Sequence, residues 1–444
     1  MKLKRIATAA LLALCATSLV AQTRLTFDDA LRRALEVNTT IEHSREGIDV
    51  ADANRRFLLS AVLPRITATA DLTRNTIEQT FGEGPDAIAI LPQNDWAARV
   101  TLSQPVYAGR RELRAYSQAK IGVESAREGA LATENAILLR VASSYLAVVN
   151  ADRRVEVEQR NIELAERRRE QATAFFEAGE VTRVDVLRAE TAMKAAQRLL
   201  AAAEQQREHA VAQLREDLAL DGPIEVVAPQ QDLPPLPSAS ELIARATTSR
   251  PDVEIAENAL RIADLEVSKQ RGFWLPTVTF DAGYITQKTP FPAPDYGYTA
   301  LHFTVPIFQS GEVNARVAGA KSREKQAELD LETTKLMARE DVRRALADLE
   351  TAHRGMQLAN EQLAAAQAEY EQAFDLYRAQ ESTSLDLASS EASLADARRA
   401  VAEETLNHDL AELRVWYAAG AMKDAVGVTG PEPEAVADAT SAQE

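Results

Sequence analysis

The sequence has 444 residues, a formal net charge of −17 at neutral pH, and only 5% aromatic residues. So acidic a chain lacks the basic face that nucleic-acid binding requires, and the composition therefore excludes that class of partner. Its richness in Ala, Glu, Gln, Arg and Leu is typical of long helices that pack through small side chains.

The chain begins with the pattern of a secretory signal peptide. Three basic residues among the first five precede an apolar stretch at 6–20, and Ala21 is a plausible last residue before cleavage. We therefore expect residues 1–21 to be removed and the rest to be exported. Because Cys15 is the single cysteine, the exported chain would carry no thiol or disulfide, which suits an oxidising compartment.

A first helix, with Thr26 as its expected N-cap, is predicted to end at Leu63, just before Pro64. The chain then alternates between apolar and polar residues in two segments. The apolar positions are Ile66, Ala68, Ala70 and Leu72 in the first segment and Trp96, Ala98, Val100 and Leu102 in the second. A period of two predicts strands with one apolar face, so we expect a β-hairpin over 65–106.

The same plan returns in the second half, where a helix is expected to end before Pro276. The apolar positions that follow are Val278, Phe280, Ala282 and Tyr284, then Leu301, Phe303 and Val305. They predict a second β-hairpin over 277–306. Since no segment after the leader has the ~18 consecutive apolar residues that a spanning helix needs, any membrane crossing would be made by strands.

Two similar turns show that the chain is a tandem duplication. The segment Phe176–Glu190 (FEAGEVTRVDVLRAE) returns 201 positions later as Tyr377–Glu391 (YRAQESTSLDLASSE). A heptad ladder of apolar residues keeps the same offset. It comprises Val141, Val148, Val155, Ile162 and Phe176 in the first copy and Val342, Leu349, Met356, Leu363 and Tyr377 in the second. A duplicated ladder predicts two long helical hairpins that present one face to a partner.

Lengths indicate the architecture. A continuous helix from Arg110 to Glu177 would be about 100 Å long, and each strand has about the ten residues of a tilted membrane-crossing strand. Four strands cannot close alone in lipid, whereas three copies would supply twelve. The predicted fold class is therefore mainly α with a transmembrane β-barrel. It combines two tandem repeats with long helical hairpins, four strands per protomer and a twelve-stranded barrel in a trimer.

The predicted organisation follows from these elements. It consists of the signal peptide 1–21, a first repeat 22–221 with its helical tip near 179–185, a linker 222–237, a second repeat 238–419 with its tip near 380–386, and a flexible tail 420–444. The linker is too rich in proline for regular structure to be expected.

Several motifs, taken in order, resemble the outer-membrane efflux family of TolC-like channels. They are LTFDDALRRALEVN at 25–38, SQPVYAGR at 103–110 with its counterpart TVPIFQSG at 304–311, RPDVEIAENAL at 250–260, and the paired turns. The resemblance implies a homotrimer in the outer membrane that extends into the periplasm as a long α-helical coiled-coil barrel, with 222–237 as an equatorial linker. It also implies a periplasmic adaptor protein and an inner-membrane transporter, of the RND, ABC or a similar class, as partners.

The same resemblance suggests roles for residues at the turns. Asp386 stands where such channels carry an acidic ring at the constricted tip; the alternative is an exposed acid at a helix N-terminus, stabilised by the helix dipole. Tyr377 and Asp185 match positions that tie the inner coiled coil to its neighbour. The residues expected to dock the adaptor are Gly179, Glu180, Val181, Thr182, Gln380, Glu381, Ser382 and Thr383.

Three positions depart from the family pattern. Gln380 replaces the usual turn glycine, which suggests asymmetric adaptor contacts between the two turns. Ser382 replaces the basic partner in the contact between the inner coiled coil and its neighbour, and Ser389 replaces a second acid, so a single acidic ring is expected.

No enzymatic or metal-binding motif is present in the sequence. The five histidines are scattered without ligand spacing, and there is no nucleophile elbow or phosphate loop, so neither a cofactor nor a catalytic residue is expected. The favoured function is a passive exit duct for small toxic molecules. A duct for secreted polypeptides in type I secretion, and a periplasmic coiled-coil scaffold without a pore, remain as alternatives.

Overall fold

The computed structural model describes residues 23–82, 84, 88–229, 233–290 and 292–427. The helices are α1 (Phe27–Val37), α2 (Thr39–Ser60), α3 (Arg111–Glu177), α4 (Arg183–Asp217), α5 (Ala239–Ser249), α6 (Pro251–Arg271), α7 (Glu312–Arg378), α8 (Ser384–Ala418) and α9 (Met422–Val426). The strands are β1 (Thr23–Leu25), β2 (Arg65–Arg74), β3 (Gln79–Phe81), β4 (Ile88–Leu91), β5 (Asn94–Ala108), β6 (Ile224–Val226), β7 (Thr277–Gln287) and β8 (Asp295–Thr304). The predicted leader and the last part of the predicted tail, 428–444, lie outside the described residues.

The chain forms two compact units. The described residues of the first unit lie within 1–42, 133–247 and 338–444, and those of the second lie within 43–132 and 248–337. Among the helices that the structure describes, none combines the length and the apolar character needed to span a bilayer.

The second unit contains an antiparallel sheet of four strands in the order β2-β5-β7-β8. The predicted apolar faces meet in register, since Ile66 lies opposite Leu102 and Leu72 opposite Trp96. Strands β5 and β7 join the two hairpins, with Val100 opposite Tyr284. The apolar face is open to the surroundings of the chain, and Leu72 is 88% exposed. Between β2 and β5, the short strands β3 and β4 pair with each other in antiparallel fashion.

In the first unit, the segment predicted as an irregular linker contributes a strand. β6 pairs in parallel with β1, with Thr23 opposite Ile224. The buried hydroxyl of Tyr145 on α3 hydrogen-bonds the carbonyls of Leu25 and Val227 at the end of this ladder. Burial raises the pKa of the Tyr145 phenol to about 12, so the hydroxyl stays protonated at neutral pH. The proline-rich composition concealed the strand because only three residues of the segment pair.

The start of the predicted flexible tail is also ordered. Helix α9 lies at 422–426, and Met422 is fully buried. The side chain of Lys423 forms an ion pair with Glu134 on α3. The tail is therefore anchored to the first unit up to Gly427, where the described residues end.

The helices of the two long hairpins have the same lengths and the same spacing in both copies of the repeat. Helices α3 and α7 both have 67 residues and begin 201 positions apart, and α4 and α8 both have 35 residues with the same offset. Ladder residues Val141, Val148 and Val342 are buried within the chain. Phe176 is an exception and is 44% exposed, whereas its counterpart Tyr377 is 5% exposed.

Candidate functional site

The two predicted tips are turns with the same backbone geometry. Gly179 has φ 77° and Gln380 has φ 61°, both in the left-handed region that favours glycine. The N–H of Glu180 donates to the carbonyl of Phe175 at 2.8 Å, and that of Glu381 donates to Leu376 at 2.9 Å. The substitution of glycine by Gln380 therefore leaves the turn unchanged. Any asymmetry between the turns comes from their side chains.

Each turn leads into a helix that begins with a Thr-x-x-Asp capping box. The N–H of Thr182 donates to Asp185 Oδ2 at 3.1 Å, and that of Thr383 donates to Asp386 Oδ2 at 3.1 Å. The carboxylates also lie at the positive ends of α4 and α8, where the helix dipole stabilises a negative charge. The Thr-x-x-Asp pattern in the sequence therefore determines where the carboxylates of Asp185 and Asp386 lie.

Asp386 is an exposed carboxylate whose described hydrogen bonds all end on one oxygen. Thr383 Oγ1 donates to Oδ2 at 2.6 Å, and Ser382 Oγ donates to the same atom at 3.3 Å. The Thr383 hydroxyl holds the pKa of Asp386 below its ordinary value, with the Thr383 N–H and then Ser382 adding to the effect. The side chain is therefore negatively charged at neutral pH. Ser382, at the position of a basic residue in the resembling family, here supports the acid.

Asp185 connects the two repeats. Its Oδ1 accepts a hydrogen bond from Ser384 Oγ at 2.5 Å, while Oδ2 accepts from Thr182. The Ser384 hydroxyl, followed by that of Thr182, lowers the pKa of Asp185. A second bridge runs between the turns, where Gln380 Nε2 donates to Glu180 Oε2 at 2.7 Å.

Tyr377 lies in the same junction, buried rather than exposed. Its ring packs on Phe175 with centroids 5.8 Å apart. Burial raises the pKa of the Tyr377 phenol, and the nearby charge of Asp185 acts in the same direction. The sequence-predicted residues Tyr377 and Asp185 are thus brought together with each other, whereas Asp386 lies on the exposed side of its turn.

Sequence reasoning missed an ion pair that joins the repeats below the turns. Arg168 Nη1 on α3 lies 2.8 Å from Glu391 Oε2 on α8, and Arg168 Nη2 donates to the carbonyl of Ser384 at 3.0 Å. Burial raises the pKa of Glu391, and the charge of Arg168 opposes that shift. A comparison of the two copies of the repeat could have indicated this ion pair. The counterpart of Arg168 is an acid, Glu369, so the two copies differ in charge at this point.

The residues predicted to dock an adaptor form the two turns. Val181 and Ser382 are half-buried, and the other six are exposed. Sequence reasoning also missed two apolar side chains beside them, since Val184 and Leu385 are equivalent in the two copies and both are exposed. Polar turns flanked by exposed apolar residues are suited to contact with another protein.

Comparisons with known proteins agree with this geometry. The outer membrane efflux protein BepC of Brucella suis is 24% identical over 387 residues, covering 85% of this chain and 82% of BepC. The pyoverdine export outer membrane protein OpmQ of Pseudomonas aeruginosa is 23% identical over 405 residues, covering 88% and 84% of the two chains. A crystal structure of CusC, a transmembrane channel, superposes with a TM-score of 0.77 at 17% identity, covering 89% and 92%.

These likenesses confirm the predicted fold class of long helical hairpins with four strands per protomer. A model of the outer membrane efflux protein family matches residues 30–219 and 242–421, which cover most of both repeats and include both turns. Members of this family are efflux channels of the Gram-negative outer membrane, working with adaptors and inner-membrane pumps, and are not enzymes. The chain belongs to the outer membrane efflux protein family.

Proposed function

We propose that three copies of this chain assemble into the exit duct of a tripartite efflux system. The four-stranded sheet carries this proposal. Its outer strands β2 and β8 are edges, and its apolar face is exposed, as with Ile66 and Phe303. In lipid, each unpaired backbone group at a strand edge costs several kcal/mol. This cost strongly favours closure of the sheet into a barrel. Three copies give a twelve-stranded barrel in the outer membrane, continued by the long hairpins in the periplasm.

The turns are the gate of this duct and the surface that receives an adaptor. Bonds between the two repeats at this point, from Asp185 to Ser384 and from Gln380 to Glu180, support a closed resting tip. Three copies of Asp386 around a narrow axis would favour cations over anions. An adaptor that binds the exposed turns would draw them apart and couple the duct to an inner-membrane pump.

The duct conducts small toxic molecules passively, and the energy comes from the pump. Two relatives support this class of cargo, since one is named for efflux and another for pyoverdine export.

Deletion of the gene in its host tests this function. Loss of the duct should increase the accumulation of a small fluorescent dye and increase sensitivity to toxic compounds, and a plasmid copy should restore both. Unchanged dye accumulation together with a lost secreted polypeptide would favour type I secretion. A purified protein that stays monomeric and soluble without detergent would favour the scaffold.

A further inference from the structure

The end of the four-stranded sheet at which helices join its strands is basic, although the chain as a whole is acidic. We call this end the helix-side rim. It comprises residues 52–65, 108–116, 266–277 and 304–316. These segments carry nine basic and four acidic side chains, a formal net charge of +5. The segments at the opposite end of the sheet, 75–93 and 288–294, carry one basic and three acidic side chains. The helix-side rim is therefore the end of the sheet that is suited to an anion.

Two arginines of the rim lie against one aromatic ring. The Cζ atoms of Arg111 on α3 and Arg316 on α7 are 4.5 and 4.8 Å from the ring centroid of Phe273, which lies between α6 and β7. Arg316 also forms an exposed ion pair with Glu312 at 2.6 Å. Arg111 donates to the carbonyl of Ala108 at 2.9 Å and pairs with no carboxylate among the residues that the structure describes. Because a cation–π contact positions a guanidinium without neutralising it, the cluster keeps a positive charge.

A close backbone contact between the two repeats positions this cluster. Gly109, just before α3, has φ 64°, and a Cβ added there would overlap the carbonyl oxygen of Gly272. A Cβ added at Gly272, next to Phe273, would lie 2.7 Å from Arg111 Cγ. Glycine at both positions allows this close approach. The fold therefore holds the start of α3 directly against the segment that carries the aromatic ring.

The surroundings of the cluster combine further positive charge with exposed apolar surface. Four more arginines of the rim form no ion pair with a described residue, and they are Arg65, Arg110, Arg114 and Arg271. Large apolar side chains are exposed in the same segments, including Leu113, Trp274, Leu275 and Val305. Guanidinium groups match the geometry of phosphate, and Trp favours the boundary between lipid headgroups and acyl chains. The rim therefore offers contacts to both parts of a phospholipid.

We propose that the helix-side rim binds an anionic phospholipid, whose phosphate accepts hydrogen bonds from the Arg111 guanidinium beside the Phe273 ring. Arg316 and the other rim arginines supply further positive charge, and the exposed apolar side chains contact the acyl chains. This proposal rests on the proposed insertion of the sheet into the outer membrane, which places the rim at the periplasmic leaflet. Since a zwitterionic lipid also carries an ammonium group, which the rim repels, the site prefers an anionic headgroup.

Native mass spectrometry of the purified protein in detergent tests this preference. Phosphatidylglycerol and phosphatidylethanolamine with the same acyl chains are added in equal amounts. The wild-type protein should retain about threefold more phosphatidylglycerol, as expected for charge interactions at an exposed site. Equal retention of the two lipids by a protein that needs detergent would overturn the lipid site alone. A protein that stays soluble without detergent would overturn the membrane insertion as well.

Substitutions at the two ends of the sheet locate the lipid. Arg111→Gln should reduce the preference for phosphatidylglycerol to about half of the wild-type value, whereas Arg111→Lys, which keeps the charge, should retain more of it. The matched control is Arg74→Gln, which removes the same charge at the opposite end of β2 and should leave the preference unchanged. Equal effects of Arg111→Gln and Arg74→Gln would contradict binding at the rim. Added glycerol 3-phosphate should not displace the lipid, and displacement would indicate a site for free phosphate esters instead.

Discussion

Arg168 and Glu391 form an ion pair between α3 and α8, with side chains only 6% and 14% exposed. The partners belong to different repeats and are 223 residues apart. Removing two charges from water is costly, and the cost is recovered here by a direct 2.8 Å contact and by the additional bond from Arg168 to the Ser384 carbonyl. The pair therefore fixes the register of the first repeat against the second just below the turns.

Arg168→Met should destabilise the protein strongly, because it leaves Glu391 buried without its cation. A loss of about 3 kcal/mol per protomer is expected for breaking a buried pair. The double variant Arg168→Met with Glu391→Leu should recover most of that loss, since no buried charge remains. Denaturant unfolding in detergent, followed by circular dichroism, measures both. Equal losses in the single and the double variant would show that the charge pairing is not the cause.

The bond between Asp185 and Ser384 should depend on pH. The pKa of Asp185 is lowered in the folded protein, first by the Ser384 hydroxyl. A carboxyl with a lowered pKa contributes stability above its unfolded pKa, about pH 4, and loses it as the pH falls through the folded value. Ser384→Ala should therefore reduce stability at pH 7, by about 1 kcal/mol or less. The difference from wild type should disappear in strong acid. Melting temperatures of both proteins from pH 7 to pH 3 and below measure this, and a constant difference would contradict it.

Gly179→Ala should test the left-handed turn without steric interference. No atom lies within 4 Å of a Cβ built at Gly179, so the cost comes from φ 77° alone. We expect a loss of about 1 kcal/mol per protomer. Gly47, in helix α2, is a matched control because a Cβ added there would also meet nothing within 4 Å, and its φ is not left-handed. Gly47→Ala should be neutral or stabilising, since alanine favours helices. Equal changes in stability for Gly179→Ala and Gly47→Ala would show that the left-handed φ of Gly179 is not the cause.

Asp386→Asn should reduce the preference of the duct for cations. The carboxylate is exposed and charged at neutral pH, whereas Asp185 has both oxygens engaged within the protomer. Reversal potentials in a salt gradient should therefore shift towards zero for Asp386→Asn and much less for Asp185→Asn. An unchanged reversal potential in Asp386→Asn would place the acidic ring elsewhere.

Local rules in the sequence were enough to predict most of the fold. Alternation predicted the apolar faces of the strands, and Ile66 opposite Leu102 confirms them. The repeat predicted paired long helices, and the structure shows that α4 and α8 begin at a second local pattern, Thr followed by Asp three residues later. Each of these signals depends on neighbours along the chain.

Features that depend on distant residues could not be predicted in this way. The three-residue strand β6 forms only because β1 lies beside it, and the pairing of β5 with β7 joins hairpins from different repeats. The contacts of the candidate site were also not predictable from neighbours along the chain. Asp185 and Tyr377 were found through a family resemblance, but the partners Ser384 and Phe175 became visible only once the two helical hairpins were packed together.

Current through a planar lipid bilayer tests the proposed duct most directly. Trimers purified in detergent and added to one side should give discrete, long-lived conductance steps with a preference for cations. The conductance should rise when the tip is loosened by Arg168→Met. Verified trimers that give no conductance under any condition, including with this variant, would contradict the account of the protein as an outer-membrane exit duct.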